Sequence, residues 1–444
     1  MDEPAPSAAS SRFTPEQQKR GMRSAMAAQC FGALGFLVFS GAPLMLLYCN
    51  RLGLSSTAIL IYLSLNSIIQ GLFMVPAAFF VDRVGLKRGG MPGLVLGTTG
   101  FTLSALAGTF DAPLCNILLA AGISTYAFGM ALFTGCWFAL MQGIVPPERR
   151  GRFFGLLRFT WQAVGLVFGW LCAFVLAEDS PLIVFQLLVG VVALGQGLRI
   201  PFVARIPEVK RERSAEPRET MLTALAEVIR APGYSAFCCY VFLLTLFTAV
   251  VPNLFNLVEL KHLDWNDASV AWMGNLLMIG AFVGFFIGGP GIDRLGTKAI
   301  FLIAHFAYGL LMFAYLLRDQ VPFPAPQYIG ALYFLFGVVQ AGSATAISTE
   351  MLALMPRGRP ALASALCVAM QMGGQALANL LSAWMLKLGF LRDEWNFMGQ
   401  RMCSYDALVL LCAVMVVLLV VALGLVPSVI RKAETTWMQT DSHR

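Results

Sequence analysis

The sequence predicts an all-α polytopic membrane protein with twelve transmembrane helices arranged as two six-helix pseudo-repeats. Of its 444 residues, 58% are hydrophobic and 12% are charged, whereas soluble domains carry about 25% charged residues. Apolar runs such as 58–80 and 407–426 reach the roughly 20 residues needed to cross a hydrocarbon core. One charged sequence motif occurs twice, at Asp82 and at Asp293, which indicates an internal repeat.

Charged and turn residues divide the chain into twelve predicted spans. The longest internal polar stretch begins at residue 205 and separates the sixth span from the seventh. We therefore predict an N-terminal tail over 1–24, an N-terminal bundle over 25–204, a linker over 205–232, a C-terminal bundle over 233–428 and a tail over 429–444. Within the linker, residues 220–230 have an amphipathic pattern, which predicts a helix on the membrane surface or in solvent. The spans run about 25–49, 56–80, 91–109, 113–141, 151–177, 181–204, 233–259, 267–290, 298–317, 325–354, 359–387 and 404–428.

The basic residues predict the orientation of these spans. Of the 31 Lys and Arg residues, 23 lie on the side that carries both termini, and six, including Arg318, lie on the other side. The positive-inside rule therefore predicts that both termini are cytoplasmic. Short loops and the lack of any Asn-x-Ser/Thr site favour a bacterial inner (cell) membrane.

The repeated motif D-R-x-G-x-K predicts a tight cytoplasmic turn in each half. Its glycine permits the turn, its basic residues keep the turn on the cytosolic side, and its aspartate can accept hydrogen bonds from a helix N-terminus. Pro43 and Pro252 repeat at nearly the same offset, and two such six-helix halves are typical of transporters. The motif comprises Asp82, Arg83, Gly85 and Lys87 in the first copy, and Asp293, Arg294, Gly296 and Lys298 in the second.

These motifs resemble those of the major facilitator superfamily over residues 20–430. The family signature G-x-x-x-D-R-x-G-x-K is complete in the second half, where it begins at Gly289, whereas the first half has Ala78 at that glycine. The resemblance implies alternating access, with Asp82 contacting the start of span 11 and Asp293 the start of span 5. R-G-R sequences containing Arg359 and Arg152 occur at those starts. The implied contacts form a cytoplasmic latch between the halves.

Polar side chains inside the spans predict where a solute binds. Amides both donate and accept hydrogen bonds, so they suit a neutral polar solute, with sugar-like compounds favoured; helix packing through the same amides is the alternative. Arg158, inside span 5, and Glu350, near the end of span 10, are assigned to gating, although Arg158 leaves an anionic solute open. The candidates for solute binding are Gln371, Gln375, Asn379, Trp161, Gln162, Asn66, Gln70, Tyr126, Asn253, Asn256, Asn275 and Gln340.

The predicted function is secondary transport of a small neutral polar organic solute. Efflux of amphiphilic compounds is an alternative, and a non-transporting membrane sensor is another. The sequence contains no nucleophile–base set, metal cluster or phosphate loop, so it predicts no enzyme activity, no cofactor and no nucleic-acid partner. The expected partners are a small-molecule substrate and the lipid bilayer, with the protein as a monomer. A coupling cation is left open, with Glu259 and Glu350 as the carboxylates that could serve it.

Overall fold

In a computed structural model of the protein, the structure describes residues 13–40, 43–146, 150–176, 180–208, 220–356, 360–389, 391 and 394–425. Helices account for most of these residues, as predicted. The first half comprises α1 (Pro15–Ser40), α2 (Leu44–Arg51), α3 (Ser56–Val84), α4 (Leu86–Ala107), α5 (Leu114–Ile144), α6 (Arg150–Val175) and α7 (Leu182–Ala204).

The second half follows the linker helix α8 (Met221–Arg230). It comprises α9 (Tyr234–Thr248), α10 (Val251–Lys261), α11 (Asp267–Leu295), α12 (Thr297–Leu316), α13 (Ala325–Leu354), α14 (Pro360–Lys387) and α15 (Ser404–Leu425). We call the end of the bundle where α1 and α4 begin the basic side, because its loops carry most of the Lys and Arg residues. The other end is the opposite side.

The first span of each half is interrupted at an equivalent place. Pro43 separates α1 from α2, and α9 is separated from α10 just before Pro252. Proline lacks an N–H group and clashes with the carbonyl one turn earlier, so it interrupts a helix at such positions. The predicted match between Pro43 and Pro252 is therefore a structural repeat.

Ten helices among the described residues are long and apolar enough to cross a membrane, with α9 and α10 counted together. α14, with 28 residues, and α15, with 22, complete the predicted set of twelve. Large apolar side chains project outward from this bundle; Phe174 is 74% exposed and Phe286 is 80% exposed. Such a surface belongs in lipid, because soluble proteins rarely expose extended apolar patches.

The N-terminal helix begins earlier than predicted, at Pro15. Thr14 Oγ1 accepts a hydrogen bond from the Gln17 backbone N–H at 3.3 Å, and Gln17 Oε1 accepts one from the Thr14 N–H at 3.0 Å. These reciprocal bonds form a capping box, and Pro15 suits the first helical position. Residues 15–24, which were assigned to the tail, are therefore helical.

Close helix contacts within each half depend on glycines. A Cβ added at Gly93 of α4 would overlap the carbonyl oxygen of Gly129 on α5. In the second half, a Cβ at Gly280 of α11 would overlap the carbonyl oxygen of Phe334 on α13, and one at Gly337 would overlap that of Leu277. Small residues allow membrane helices to pack backbone to backbone in this way.

Two pairs of helices form the main contacts between the halves among the described residues. α3 packs against α14, where Gly71 lies beside residues 369–373. α6 packs against α11, and the rings of Phe174 and Trp272 lie 5.3 Å apart at the opposite side. The surfaces between α3 and α14 and between α6 and α11 therefore lie where the halves meet.

The opposite side contains a feature that the all-α prediction lacked. Strands β1 (Trp395–Phe397) and β2 (Gln400–Met402) form an antiparallel hairpin between α14 and α15. Beneath it, Arg318 is paired with Asp406 and both side chains are fully buried. The charge count placed Arg318 on this side but gave it no partner, and a carboxylate 88 residues away draws its side chain inside.

Candidate functional site

The two repeated turns have the same backbone geometry. Gly85 has a φ of +113° and Gly296 a φ of +80°, a region that side chains other than glycine rarely adopt. The Gly85 N–H donates to the Val81 carbonyl at 3.0 Å, and the Gly296 N–H donates to the Ile292 carbonyl at 2.8 Å. Glycine is thus required in both turns, for the reason that the sequence indicated.

Each turn is held by a carboxylate that the repeat did not predict for it. Glu208 Oε1, from the start of the linker, accepts a hydrogen bond from the Lys87 backbone N–H at 3.2 Å. Lys87 Nζ donates to the Ala204 carbonyl at 2.7 Å. In the second half, the Thr297 hydroxyl donates to Glu350 Oε2 at 2.6 Å. Both carboxylates meet the first turn of a helix, where unpaired N–H groups favour negative charge.

The latch itself stays a prediction. Asp82 and Asp293 are exposed in the last turns of α3 and α11. Arg83 lies 4.2 Å from the centre of the Phe79 ring, and Arg294 and Lys298 flank the second turn. Of the expected partners, Arg359 and the side chain of Arg152 lie outside the described residues.

Arg158 lies where the two halves meet. Its guanidinium is 5.0 Å from the centre of the Phe285 ring of α11, and its side chain is exposed. The next residue, Phe159, has its ring 5.4 Å from that of Phe282 on α11. This contact between α6 and α11 places a positive charge between the halves, toward the basic side.

The three amides of α14 share one helix face, and the structure adds a partner to one of them. Asn379 is buried, and its Oδ1 accepts a hydrogen bond from Asn253 Nδ2 of α10 at 3.3 Å. Gln375 is half-buried, and Gln371 Nε2 lies 3.8 Å from the Cys367 sulfur. α10 and α14 thus bring together amides that are 126 residues apart.

Amides of the first half lie on two helices that contact the second half. On α3, Gln70 Nε2 donates to Asn66 Oδ1 at 2.8 Å, next to Gly71 and its contact with α14. On α6, Gln162 is buried, and Trp161 lies 5.1 Å from the Phe36 ring. The predicted groups on α3 and α6 therefore lie on helices that meet the second half.

Asn275 of α11 differs from the other amides. It is buried where a Cβ on Gly169 of α6 would overlap its Oδ1. Within the described residues, neither its oxygen nor its nitrogen has a hydrogen-bond partner. Leaving a buried polar group without a hydrogen-bond partner costs about 1–3 kcal/mol. A hydrogen bond from Asn275 to a solute or to water would therefore be favourable.

The remaining candidates lie within one half. Tyr126 is buried in the first half, with its ring 4.3 Å from that of Phe101. Asn256 Oδ1 accepts a hydrogen bond from the Tyr333 hydroxyl at 2.8 Å, inside the second half. Gln340 is half-buried on α13.

Two surface grooves lie away from all these groups. A groove of about 490 Å³ lies between α11 and α13, and one of about 390 Å³ lies between α4 and α7. Neither is lined by a predicted solute-binding residue.

Ten apolar spans among the described residues, completed by α14 and α15 and arranged in two halves with neutral polar groups where the halves meet, are typical of a membrane carrier. The profile of the Major Facilitator Superfamily matches residues 25–259 and 235–438. The chain belongs to this superfamily, and it is an integral membrane transporter. Among curated proteins, no sequence matches it significantly.

Solved structures of three transporters have the same fold. A POT family transporter in complex with 5-aminolevulinic acid has a TM-score of 0.71 and 11% identity, covering 93% of this chain and 97% of that one. A variant of the nucleoside transporter NupG has a TM-score of 0.68 and 14% identity, covering 92% and 99%. A D-xylose–proton symporter has a TM-score of 0.68 and 14% identity, covering 90% and 97%. At sequence identities this low, the structural similarity shows the fold alone.

Proposed function

We propose that this transporter moves a small neutral polar organic solute, with sugars favoured, by alternating access. The observation that supports the proposal is the set of amides on α3, α6, α11 and α14, which form the main contacts between the halves, and on α10. Asn66 is hydrogen-bonded to Gln70, and Asn253 to Asn379, while Asn275 has no partner among the described residues. Hydroxyl groups of a solute can replace each of these bonds, because they also donate and accept.

The similar structures support a small polar solute without selecting one. They include a D-xylose–proton symporter, a nucleoside transporter and a transporter holding 5-aminolevulinic acid. The charge bias of the loops supports a cytoplasmic basic side. We therefore propose that the protein lies in the cell membrane with both termini in the cytoplasm, and that the monomer is the transporting unit.

Ligand binding tests the proposed solute class. Thermal unfolding of the detergent-purified protein is measured with sugars, polyols, carboxylates and lipophilic cations. A ligand at 100 times its Kd stabilises the native state by about 2.7 kcal/mol, and we expect this shift with a sugar. We expect Gln375→Ala to weaken that sugar's binding, because it removes an amide from the α14 face.

Gln327→Ala is the matched control, because Gln327 is exposed near the start of α13, at the opposite side. It should leave the sugar's affinity unchanged. A shift with carboxylates alone would contradict the neutral solute and assign Arg158 to binding, and a shift with lipophilic cations alone would favour efflux. If Gln375→Ala leaves the affinity for the sugar unchanged, the α14 amides serve helix packing rather than solute binding.

The latch has its own test. Transport of the sugar identified by thermal unfolding is measured in proteoliposomes. We expect Asp82→Asn and Asp293→Asn each to lower its transport rate, while the amount of folded protein stays normal. Asparagine keeps the size of the side chain but removes the charge that favours a helix N-terminus. Asp111→Asn, in the exposed connection between α4 and α5, is the control. Wild-type rates in both latch variants would exclude a gating role.

A further inference from the structure

A carboxyl group is sealed inside the second half, close to the opposite side. Glu259 lies near the end of α10 and is 0% exposed. Carboxylates are almost never fully buried unless they are paired. Within the described residues, neither oxygen of this carboxyl makes a hydrogen bond of normal geometry.

The cation beside Glu259 is already neutralised. Arg318, just beyond α12, donates from Nη1 and Nη2 to the two oxygens of Asp406 on α15, at 2.8 and 3.0 Å. The other titratable groups of this cluster are Tyr315 of α12, Tyr333 of α13 and Cys403, next to α15. An ionised Glu259 would therefore be a second buried negative charge for one positive charge, and an uncompensated buried charge is strongly unfavourable.

The hydrogen-bond directions around Tyr333 also favour a protonated carboxyl. The Tyr333 hydroxyl lies beside Glu259, and its single proton is donated to Asn256 Oδ1 at 2.8 Å. Its oxygen can then only accept from Glu259, and a carboxyl can donate only when it carries a proton. The polar chain thus runs from Glu259 through Tyr333 to Asn256.

The same short helix connects this chain to the solute-binding amides. α10 begins after the interruption before Pro252, and it carries Asn253, Asn256 and Glu259 at intervals of three residues. Residues three apart lie on neighbouring positions of one helix face. Asn253 is hydrogen-bonded to Asn379 of α14. Movement of α10 would therefore affect both this amide pair and the polar chain that starts at Glu259.

We propose that Glu259 is a proton-binding site, through which α10 couples solute movement to protons. Proton binding stands on the cluster itself, whereas the coupling rests on the proposed transport of a solute. If the proton leaves, the chain must reverse: Asn256 would turn to donate to Tyr333, and Tyr333 would donate to the carboxylate. This reversal changes the hydrogen bonds of α10 three residues from Asn253.

Infrared spectroscopy of the purified, ligand-free protein at neutral pH tests proton binding without any solute. We expect a carbonyl stretching band of a protonated carboxyl in the wild type, and its loss in Glu259→Gln. Among the described residues the other acids are exposed, hydrogen-bonded or, for the buried Asp267, close to the positive charges of Arg51 and Lys261. Glu350→Gln is the matched control, because Glu350 already accepts a hydrogen bond from Thr297. The band should persist in that variant.

Tyr333→Phe provides a second test that keeps the carboxyl in place. Removing the hydroxyl removes the acceptor, so the band should remain and move to higher frequency. Absence of the band in the wild type, its persistence in Glu259→Gln, or its loss in Glu350→Gln would each overturn the proposal. These outcomes are independent of whether any sugar binds, so they are separate from a failure of the proposed function.

Discussion

Replacing Asp406 with asparagine is expected to destabilise the folded protein by about 3–5 kcal/mol, because it leaves the Arg318 charge buried without its partner. Both side chains are fully buried and their contact is bidentate. Burial lowers the pKa of Arg318, but the hydrogen bonds and charge of Asp406 outweigh it and hold the pKa above its ordinary value. The guanidinium therefore stays charged and cannot relieve the loss by giving up its proton.

Reversible unfolding in mixed detergent micelles measures this effect. Asp319→Asn is the matched control, because Asp319 follows the same arginine but is exposed, and it should change stability by less than about 0.5 kcal/mol. The double variant Arg318→Met with Asp406→Leu should recover much of the lost stability, since it removes both charges. Equal stability of Asp406→Asn and the wild type would mean that the pair is not buried in the membrane-embedded protein.

The same pair also anchors the start of α15. Asp406 Oδ2 also accepts from the Cys403 N–H at 3.0 Å, which caps the start of α15. The indole N–H of Trp395 donates to the Cys403 carbonyl at 2.9 Å, and Gln320 Nε2 donates to the Met398 carbonyl at 2.6 Å. The hairpin is therefore hydrogen-bonded to the segment after α12 and to the start of α15, around the buried charges.

Features with a local or periodic cause could be predicted from the sequence. Apolar runs indicated the spans, and the repeated glycines indicated turns that the φ angles of Gly85 and Gly296 require. The Thr14–Gln17 capping box was equally local, but its signal was overlooked because residues 1–24 are polar. In the hairpin, Gly399 suits the positive φ of a two-residue turn, but Met398 also has a positive φ, and methionine is not a residue that signals such a turn.

Features that join distant parts of the chain could not be predicted in this way. Arg318 and Asp406 are 88 residues apart, and Lys87 and Glu208 are 121 residues apart. Neither charge pattern nor periodicity indicates such pairs, because each residue alone suits a solvated loop. The bond between Asn253 and Asn379 was missed for the same reason, although both residues were singled out as polar groups inside apolar spans.

The second large effect is expected at the contact between α11 and α13. Gly337→Ala adds a methyl group that would overlap the Leu277 carbonyl oxygen and approach the Ala281 backbone nitrogen to 2.8 Å. Backbone atoms cannot turn aside as a side chain can, so the helices must separate. Overpacking of this kind costs about 1–3 kcal/mol, and separation also loses the packing that holds membrane helices together. We expect lower stability and a smaller folded yield.

Gly342→Ala is the matched control on the same helix. A Cβ at Gly342 meets nothing within 4 Å, and alanine is favoured over glycine inside a helix by roughly 0.5–1 kcal/mol. This variant should therefore be as stable as the wild type or more so, in the same unfolding measurement. Equal stabilities of Gly337→Ala and Gly342→Ala would contradict the close approach of the two helices. Because α13 also carries Tyr333 and Glu350, and α11 carries Asn275 and Asp293, separation of this pair should also disturb the second turn and the polar chain that ends at Glu259.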